Sequence, residues 1–314
     1  MGDDIAGCPV SLIRWSRRST YHLSEELKAH NIFACPSSVG NMLRGNNFSL
    51  RANRKCIAET YHPDRNRQFE IIMETRKRFE DADQPIISVD SKKKELIGNF
   101  KNPGRTWRNS EDKVYDHDFR SHAIGVASPY GIFEPVRNLG TVIVGQSFDT
   151  AEFAVDCIEL WLNDFAQQRY HTIKELLILC DGGGSNGART RLWKYELYNE
   201  VCKKYGISIR VCHYPTGASK WNPVEHRLFG PITDNWQGRP LRSFEIALDC
   251  IRSTTTKKGL KVDAVLNDKQ YQKGIKVSDT QMKEINLVRH DELPQWNYSL
   301  VHKAKKPKYQ LIFA

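Results

Sequence analysis

The run "ELLILCD" (175–181) limits the fold of this chain more than any other stretch. Leu176, Leu177, Ile178, Leu179 and Cys180 follow one another without a polar break and end on Asp181. A strand that is apolar on both faces belongs inside a sheet covered by helices on either side. "PIISVD" (85–90) is a second short strand of buried character, ending on Asp90. In open α/β sheets, sites form at the carboxyl edge of the strands. One acid there reads equally well as a strand terminator. Two of them, followed by a carboxylate on a later helix, carry more information.

The remaining elements extend this frame. A very basic hairpin or loop, "SKKKELIGNFKNPGRTWR", follows Asp90. Strand-like runs lie near 121–128, 131–136 and 140–148. A helix over about 150–168 sets Phe153, Cys157, Trp161 and Phe165 at four-residue steps. Another, over about 189–205, aligns Trp193, Leu197 and Val201. "ISIRVCHY" alternates like a half-exposed edge strand, and the last helix begins at Asn222. This order predicts an α/β fold: a mixed sheet with helices on both faces, in the ribonuclease H-like sequence of elements.

Upstream, Thr20 can cap a helix running to about His30, with Leu23 and Leu27 on one face and Asn31 at its stop. Pro36 opens a second helix with Val39, Met42 and Leu43 inward. The pair has the form of a helix-turn-helix whose second helix enters a major groove, a pattern shared by many helical hairpins. Residues 62–83 read as a linker and an amphipathic helix with Phe69, Ile72, Met73 and Phe79 roughly on one face. The expected organisation is an irregular segment (1–18), a helix-turn-helix region (19–60), a linker helix (61–84), a ribonuclease H-like core (85–240), a C-terminal extension (241–300) and a basic tail (301–314).

Net charge is +10, and its placement matters more than its size. Residues 11–58 hold eight Lys/Arg against two Glu, and residues 301–314 hold four Lys and no acid. Two basic ends on a neutral body point to a polyanion partner, most simply nucleic acid, against the alternative of solubilising charge. The eight cysteines form no CxxC pair, and several sit in apolar runs, as buried thiols of a reducing compartment do. No apolar run reaches transmembrane length, so no membrane association is expected.

The third carboxylate is Glu225, in "HYPTGASKWNPVEHRLF". Asn222 suits a helix cap, Pro223 the first helical position, and Glu225 a capping box. On a helix starting at Pro223, however, Glu225 shares a face with Phe229, Ile232 and Trp236. A carboxylate turned toward a sheet needs a proton, a basic partner or a metal ion. Three carboxylates meeting at a sheet edge can hold divalent cations for phosphoryl transfer. Gly230-Pro231 then threatens the helix: an internal proline would kink it, draw Ile232 and Trp236 off the face and loosen Glu225.

Other features are less specific. "DGGGSNG" (181–187) is neither a Walker motif nor an EF-hand. It reads as a flexible turn, or as glycines that let metal or DNA approach Asp181. His213 and His226 match no zinc spacing; DNA contacts or structural roles suit them better. "SKKKE" is either a solvated charge run or a phosphate contact. Trp107 and Trp221, beside basic residues, can stack on bases or simply pack.

Several long motifs carry a family resemblance: "SVDSKKKELIGNFKNPGR", "DTAEF", "DGGGSNG" with "LWK", "VCHYP" with "SKWNPVEHRLF", "NWQGRPL", "TTTKKGLKV", "YQKGIKVSD" and "WNYSL". On these, over roughly residues 11–300, the chain resembles the DDE transposases of bacterial insertion sequences of the Azo-thirteen type. Its Asn-Pro-x-Glu feature is also similar to mariner-related transposases, where that Glu is the third catalytic acid. The resemblance implies Asp90, Asp181 and Glu225 as the catalytic, metal-binding triad. It implies Mg²⁺ or Mn²⁺, as two ions, and no small-molecule cofactor. The implied reaction is cleavage at transposon ends followed by strand transfer into target DNA, by a homo-oligomer assembled on DNA in the bacterial cytoplasm. Expected DNA contacts are Ser38, Arg44, Arg51, Arg54 and Lys55 in the N-terminal region. Lys92, Lys93, Lys94 and Arg105 follow Asp90, and His213, Lys220, Trp221, His226 and Arg227 surround Glu225. Family members usually carry a longer N-terminal DNA-binding region, so a shortened copy with one helix-turn-helix is expected. Two other readings stay open: a catalytically decayed DNA-binding remnant, and a nuclease on the same fold.

Overall fold

The computed structural model describes residues 5–7, 14–16, 18–50, 62–218 and 221–302. The chain divides into two compact units, Met1–Ile57 and Ala58–Ala314. In the first, strands β1 (Ile5–Gly7) and β2 (Arg14–Ser16) pair antiparallel, and helices α1 (Thr20–Ala29) and α2 (Pro36–Gly45) form a hairpin. Ser19, one residue before the expected cap, accepts the His22 N–H at 3.3 Å. Asn31 takes a left-handed φ of 61° and ends α1, as an Asn at a helix stop commonly does. Leu23 and Val39 are buried, but Met42, expected to point inward, is 53% exposed.

The second unit is built on a nine-stranded sheet. Its strands are β3 (Ile86–Ser91), β4 (Glu95–Ile97), β5 (Gly125–Glu134), β6 (Leu139–Gly145), β7 (Glu175–Cys180), β8 (Ser208–His213), β9 (Lys261–Asn267), β10 (Leu287–Arg289) and β11 (Asn297–Leu300). The order is β10-β11-β8-β7-β3-β5-β6-β9, with β4 paired to β5. β3 lies centrally, antiparallel to β5 and parallel to β7, and β8 runs parallel beyond β7. This is the expected ribonuclease H-like arrangement.

Two strand expectations need correcting. β8 is not an edge, because β11 pairs with it antiparallel from Asn297 to Leu300. The runs near 121–128 and 131–136 form one strand, β5, which continues through Pro129. Pro129 lies just past the end of β3, where the ladder needs no N–H, and its carbonyl accepts the Lys92 N–H at 2.8 Å.

Alternation along β3 and β7 divides the core between the two faces. On one, Ile87, Val89, Leu176, Ile178 and Cys180 pack against helices α4 (Ala151–Trp161) and α5 (Arg191–Glu196) through Phe153, Trp161, Trp193 and Leu197. Each helix continues into a wider π turn, Leu162–Ala166 and Leu197–Lys203 respectively. The first π turn shifts the register, so Ala166 is buried where the four-residue rhythm expects Phe165.

On the other face lie α3 (Arg65–Asp81), α6 (Gly230–Trp236) and α7 (Phe244–Arg252). A last short helix, α8 (Asp279–Glu284), precedes β10. Helix α3 covers Ile86, Leu177 and Leu179 with Ile72 and Phe79. Gln68 and Ile71 complete its inner face, while Met73, expected there, is 62% exposed.

The α4 end of the sheet is held by one buried charge. The Glu134 carboxylate, 1% exposed, accepts from Trp161 Nε1 at 3.2 Å, Tyr170 OH at 3.0 Å and the Arg169 guanidinium. Arg169 also reaches Asp263 of β9 at 2.8 Å. Replacing Arg169 by Met leaves a buried carboxylate without its cation and is expected to cost about 3–5 kcal/mol in urea unfolding. Adding Glu134→Gln is expected to recover a large part; a single-variant loss under about 1 kcal/mol would show the pair to be dispensable.

Candidate active site at the carboxyl edge of the sheet

Asp90 and Asp181 come together because β3 and β7 are adjacent and parallel. Val89 pairs with Cys180, so the next residue of each strand is an aspartate at the same edge. Ser88 and Asp90 follow Ile86 on the α3 and α6 face, away from Ile87 and Val89. Glu225 approaches on that face. Opposite Asp90 in β5 stands Gly131, where an added Cβ would meet Phe229 at 2.5 Å. At Gly140 on β6 it would meet Leu228 at 2.4 Å. These bare positions let the helix carrying Glu225 sit directly on the sheet.

That helix is continuous, against expectation. A turn at Pro223 leads into a π segment, Glu225–Phe229, and then into α6. The Gly230 N–H bonds to the Glu225 carbonyl, five residues back, so the wider turn accommodates Pro231 where a tight α turn would clash. Ile232 and Trp236 stay buried, at 1% and 2% exposure. Gly230-Pro231 therefore does not draw them from the core.

The capping expectation is also corrected. Asn222 is fully buried, and its side chain serves the aspartates' neighbourhood instead of its own helix. Its amide donates to Asp181 Oδ1 at 3.1 Å, and its carbonyl accepts from the Ser88 hydroxyl. The Val224 N–H is met from outside the helix, by Ser88 Oγ at 3.4 Å. Ser88 and Asn222 thus adjoin the candidate site, and sequence reasoning missed both. The available signals were a lone Ser inside "IISVD" and an Asn read only as a turn former.

Crowding sets the electrostatics. Burial, then the negative charge of Asp181, and also hydrogen bonding to the Glu225 carboxyl push Asp90 up to about 8, against the Ser91 N–H bond that favours its charge. Asp181 is raised by burial and by the Glu225 charge, with the Asn222 amide opposing. A divalent cation binds hard, anionic oxygens of this kind. The donor chemistry of Asp90, Asp181 and Glu225 fits such an ion, provided it displaces the proton. Among the described residues, no three His, Cys, Asp or Glu already stand at ligand spacing.

The expected DNA contacts separate into groups. Lys93 and Lys94 are exposed. Lys92, Lys93, Glu225 and Thr233 line a cavity of about 430 Å³. Lys92, however, pairs with Glu95 at 2.9 Å and lies over the Trp236 ring at 4.6 Å, so it braces the turn. Arg105 is exposed in a groove of about 1140 Å³ formed with Arg108 and Gly238, beside a fully exposed Trp107. His226 and Trp221 are exposed, the latter edge-on to Phe69 at 6.0 Å.

Two expected contacts are otherwise engaged. Arg227 is exposed, but its guanidinium donates to Pro135 O at 3.3 Å and Asn138 Oδ1 at 3.0 Å and lies over the Phe133 ring. His213 is fully buried, with burial lowering it to about 4, and cannot reach a phosphate. On α2, Ser38 bonds with the Cys35 thiol, and Arg44 donates to Asn41 at 2.6 Å. Arg51, Arg54, Lys55 and Lys220 lie outside the described residues.

A family model described as the Rhodopirellula transposase DDE domain matches residues 1–302. No curated protein sequence matches the chain. Similar solved structures include the Mos1 transposase paired-end complex with left transposon end, at 12% identity and TM-score 0.41 over 73% of this chain and 63% of that one. Another is the Mos1 mariner paired end complex with Mn, at 13% identity and TM-score 0.40 over 73% and 64%. A third, the mariner Mos1 paired end complex with Mg, gives 14% and 0.39 over the same shares. The chain thus spans about 63–64% of the length of these structures. Among the described residues, no helix is long and apolar enough to cross a membrane.

The raised Asp90 has a measurable consequence. Its folded value near 8 lies above the unfolded value of about 3.9, so between these pH values the folded state holds the extra proton. Without divalent ions, stability is expected to fall as pH rises from 4 to 8, by up to about 1.4 kcal/mol per unit, and to level off above. Asp90→Asn removes this slope and is expected to exceed the wild type at pH 8 in urea unfolding with chelator. Parallel wild-type and variant profiles would refute the assignment.

Proposed function

The chain belongs to the Rhodopirellula transposase DDE domain family, and from that premise we propose that it cleaves DNA at transposon ends and joins the freed ends to target DNA. The observation that carries this reading is the set of carboxylates at one sheet edge, crowded enough to hold Asp90 near 8. Asp90, Asp181 and Glu225 are the proposed ligands of Mg²⁺ or Mn²⁺, as a pair of ions. When bound, the metal supplies Lewis-acid polarisation of the phosphate and neutralises its developing charge.

The chain's own residues do the rest. The Asn222 amide keeps Asp181 oriented and favours its charged form. Ser91 N–H does the same for Asp90 at 2.8 Å. Ser88 fixes the start of the helix that delivers Glu225. Lys93, Lys94 and Arg105 are the proposed contacts to DNA phosphates beside the site, and Trp107 offers a stacking surface. Helix α2, with Ser38 and Arg44, is the proposed reader of the transposon end, and the active form is a homo-oligomer on DNA.

A decayed DNA-binding remnant loses one of its motives, since Gly230-Pro231 leaves the helix intact. Duplexes carrying the element's own ends, incubated with the protein and Mg²⁺ or Mn²⁺, test the proposal on sequencing gels. Nicking and joined products are expected, and Asp181→Asn is expected to abolish both while still binding DNA. Cleavage without joining would favour a nuclease, and binding without cleavage a remnant. Undiminished activity of Asp181→Asn would overturn the site.

A further inference from the structure

Behind Asp181 lies a buried chain of hydrogen bonds. Trp193, Tyr298 and His213 are each fully buried. Trp193 Nε1–H donates to the Tyr298 hydroxyl at 2.9 Å, and that hydroxyl lies 3.3 Å from His213 Nε2. His213 Nδ1 lies 2.9 Å from the Asp181 carbonyl oxygen. A carbonyl can only accept, so Nδ1 carries the proton. Nε2 then offers its lone pair, and the Tyr298 hydroxyl donates to it. Cys180 Sγ also lies 3.3 Å from Nδ1, and the shorter contact to the carbonyl takes the Nδ1 proton. On the other side of the backbone, the Asp181 carboxylate meets Asn222.

We infer that His213 is a positioning residue for Asp181: its Nδ1–H fixes the aspartate's backbone, and Tyr298 fixes the imidazole tautomer. This rests on the reading of Asp181 as a metal ligand. Asp181 begins the glycine-rich stretch 181–187, so its own sequence supplies little rigidity. The clamp comes from β8 through His213 and from β11 through Tyr298. The nearby Lys194 ammonium holds the far side of the same loop, donating to Ala188 O at 2.5 Å. Partners of this kind, behind a metal ligand, typically govern affinity by about 10–100-fold when removed.

The test measures Mn²⁺ binding to the full-length protein by calorimetry, with thermal unfolding alongside. His213→Leu removes the donor and is expected to weaken Mn²⁺ binding by about tenfold or more. His213→Asn, whose amide can occupy the Nδ1 position, is expected to restore affinity to within about threefold of wild type, well inside the loss caused by removing the donor. Tyr298→Phe frees the tautomer and covers the case in which the leucine variant fails to fold. It is expected to weaken binding, and ¹⁵N spectra of its His213 are expected to show a smaller share of the Nδ1–H form, which dominates in the wild type. Wild-type affinity in both His213→Leu and Tyr298→Phe, or a proton on Nε2 in the wild type, would overturn the inference. So would equal defects in the asparagine and leucine variants. Asp181→Asn separates the two levels of argument. If it abolishes Mn²⁺ binding while His213→Leu does not, only the positioning role falls; if it leaves Mn²⁺ binding intact, the metal reading falls and takes this role with it.

Discussion

Repulsion between carboxylates is the constraint around which the second unit is organised. Neighbouring strands lie about 4.8 Å apart, so acids at the same register on β3 and β7 are forced close in a poorly solvated place. Left alone, such a pair takes up protons or pushes the strands apart. Here Asp90 takes up the proton, and the surrounding groups limit that uptake and hold the strands together. Polar groups without net charge, namely the Asn222 amide, the Ser91 N–H and the Ser88 hydroxyl, surround the acids without neutralising them. Two cations of this region are committed elsewhere, Lys92 to Glu95 and Arg227 to backbone and Asn138. A cation of the protein's own beside the aspartates would compete for the place a metal ion needs.

The packing follows from the same demand. A third carboxylate reaches this edge only if its helix lies almost on the sheet backbone, which explains the glycines at 131 and 140 beneath Phe229 and Leu228. Glu225 opens the widened turn, and the apolar residues that follow anchor it: Leu228, Phe229, Ile232 and Trp236 belong to one buried cluster. A proline that would break a regular helix is tolerated because the hydrogen bonds around it are already one residue longer.

The parts of this structure legible in the sequence are those set by local chemistry. Apolar runs ending on Asp90 and Asp181 marked β3, β7 and their shared edge, and the rhythm of Trp193, Leu197 and Val201 marked a covering helix. The parts missed depend on distant partners. Nothing near "ISIRVCHY" reveals that Asn297–Leu300 will cover it, so a paired strand read as an edge and its His213 as an expected DNA contact. π turns add a residue without leaving a composition signal, which put Phe165 in the place of Ala166 and made Pro231 look disruptive. The Asn222 side chain could be read as a cap because the Ser88 hydroxyl that replaces it lies far away in sequence.

The strand that backs Asp181 through Tyr298, β11, comes late among the described elements. All three carboxylates leave the ribosome well before β11, and β9 and β10 also come after them. A nascent or prematurely ended chain would therefore carry the acids without the strand that backs Asp181. The proposed site would be complete only once the chain has been made through β11, about seventy residues after Glu225.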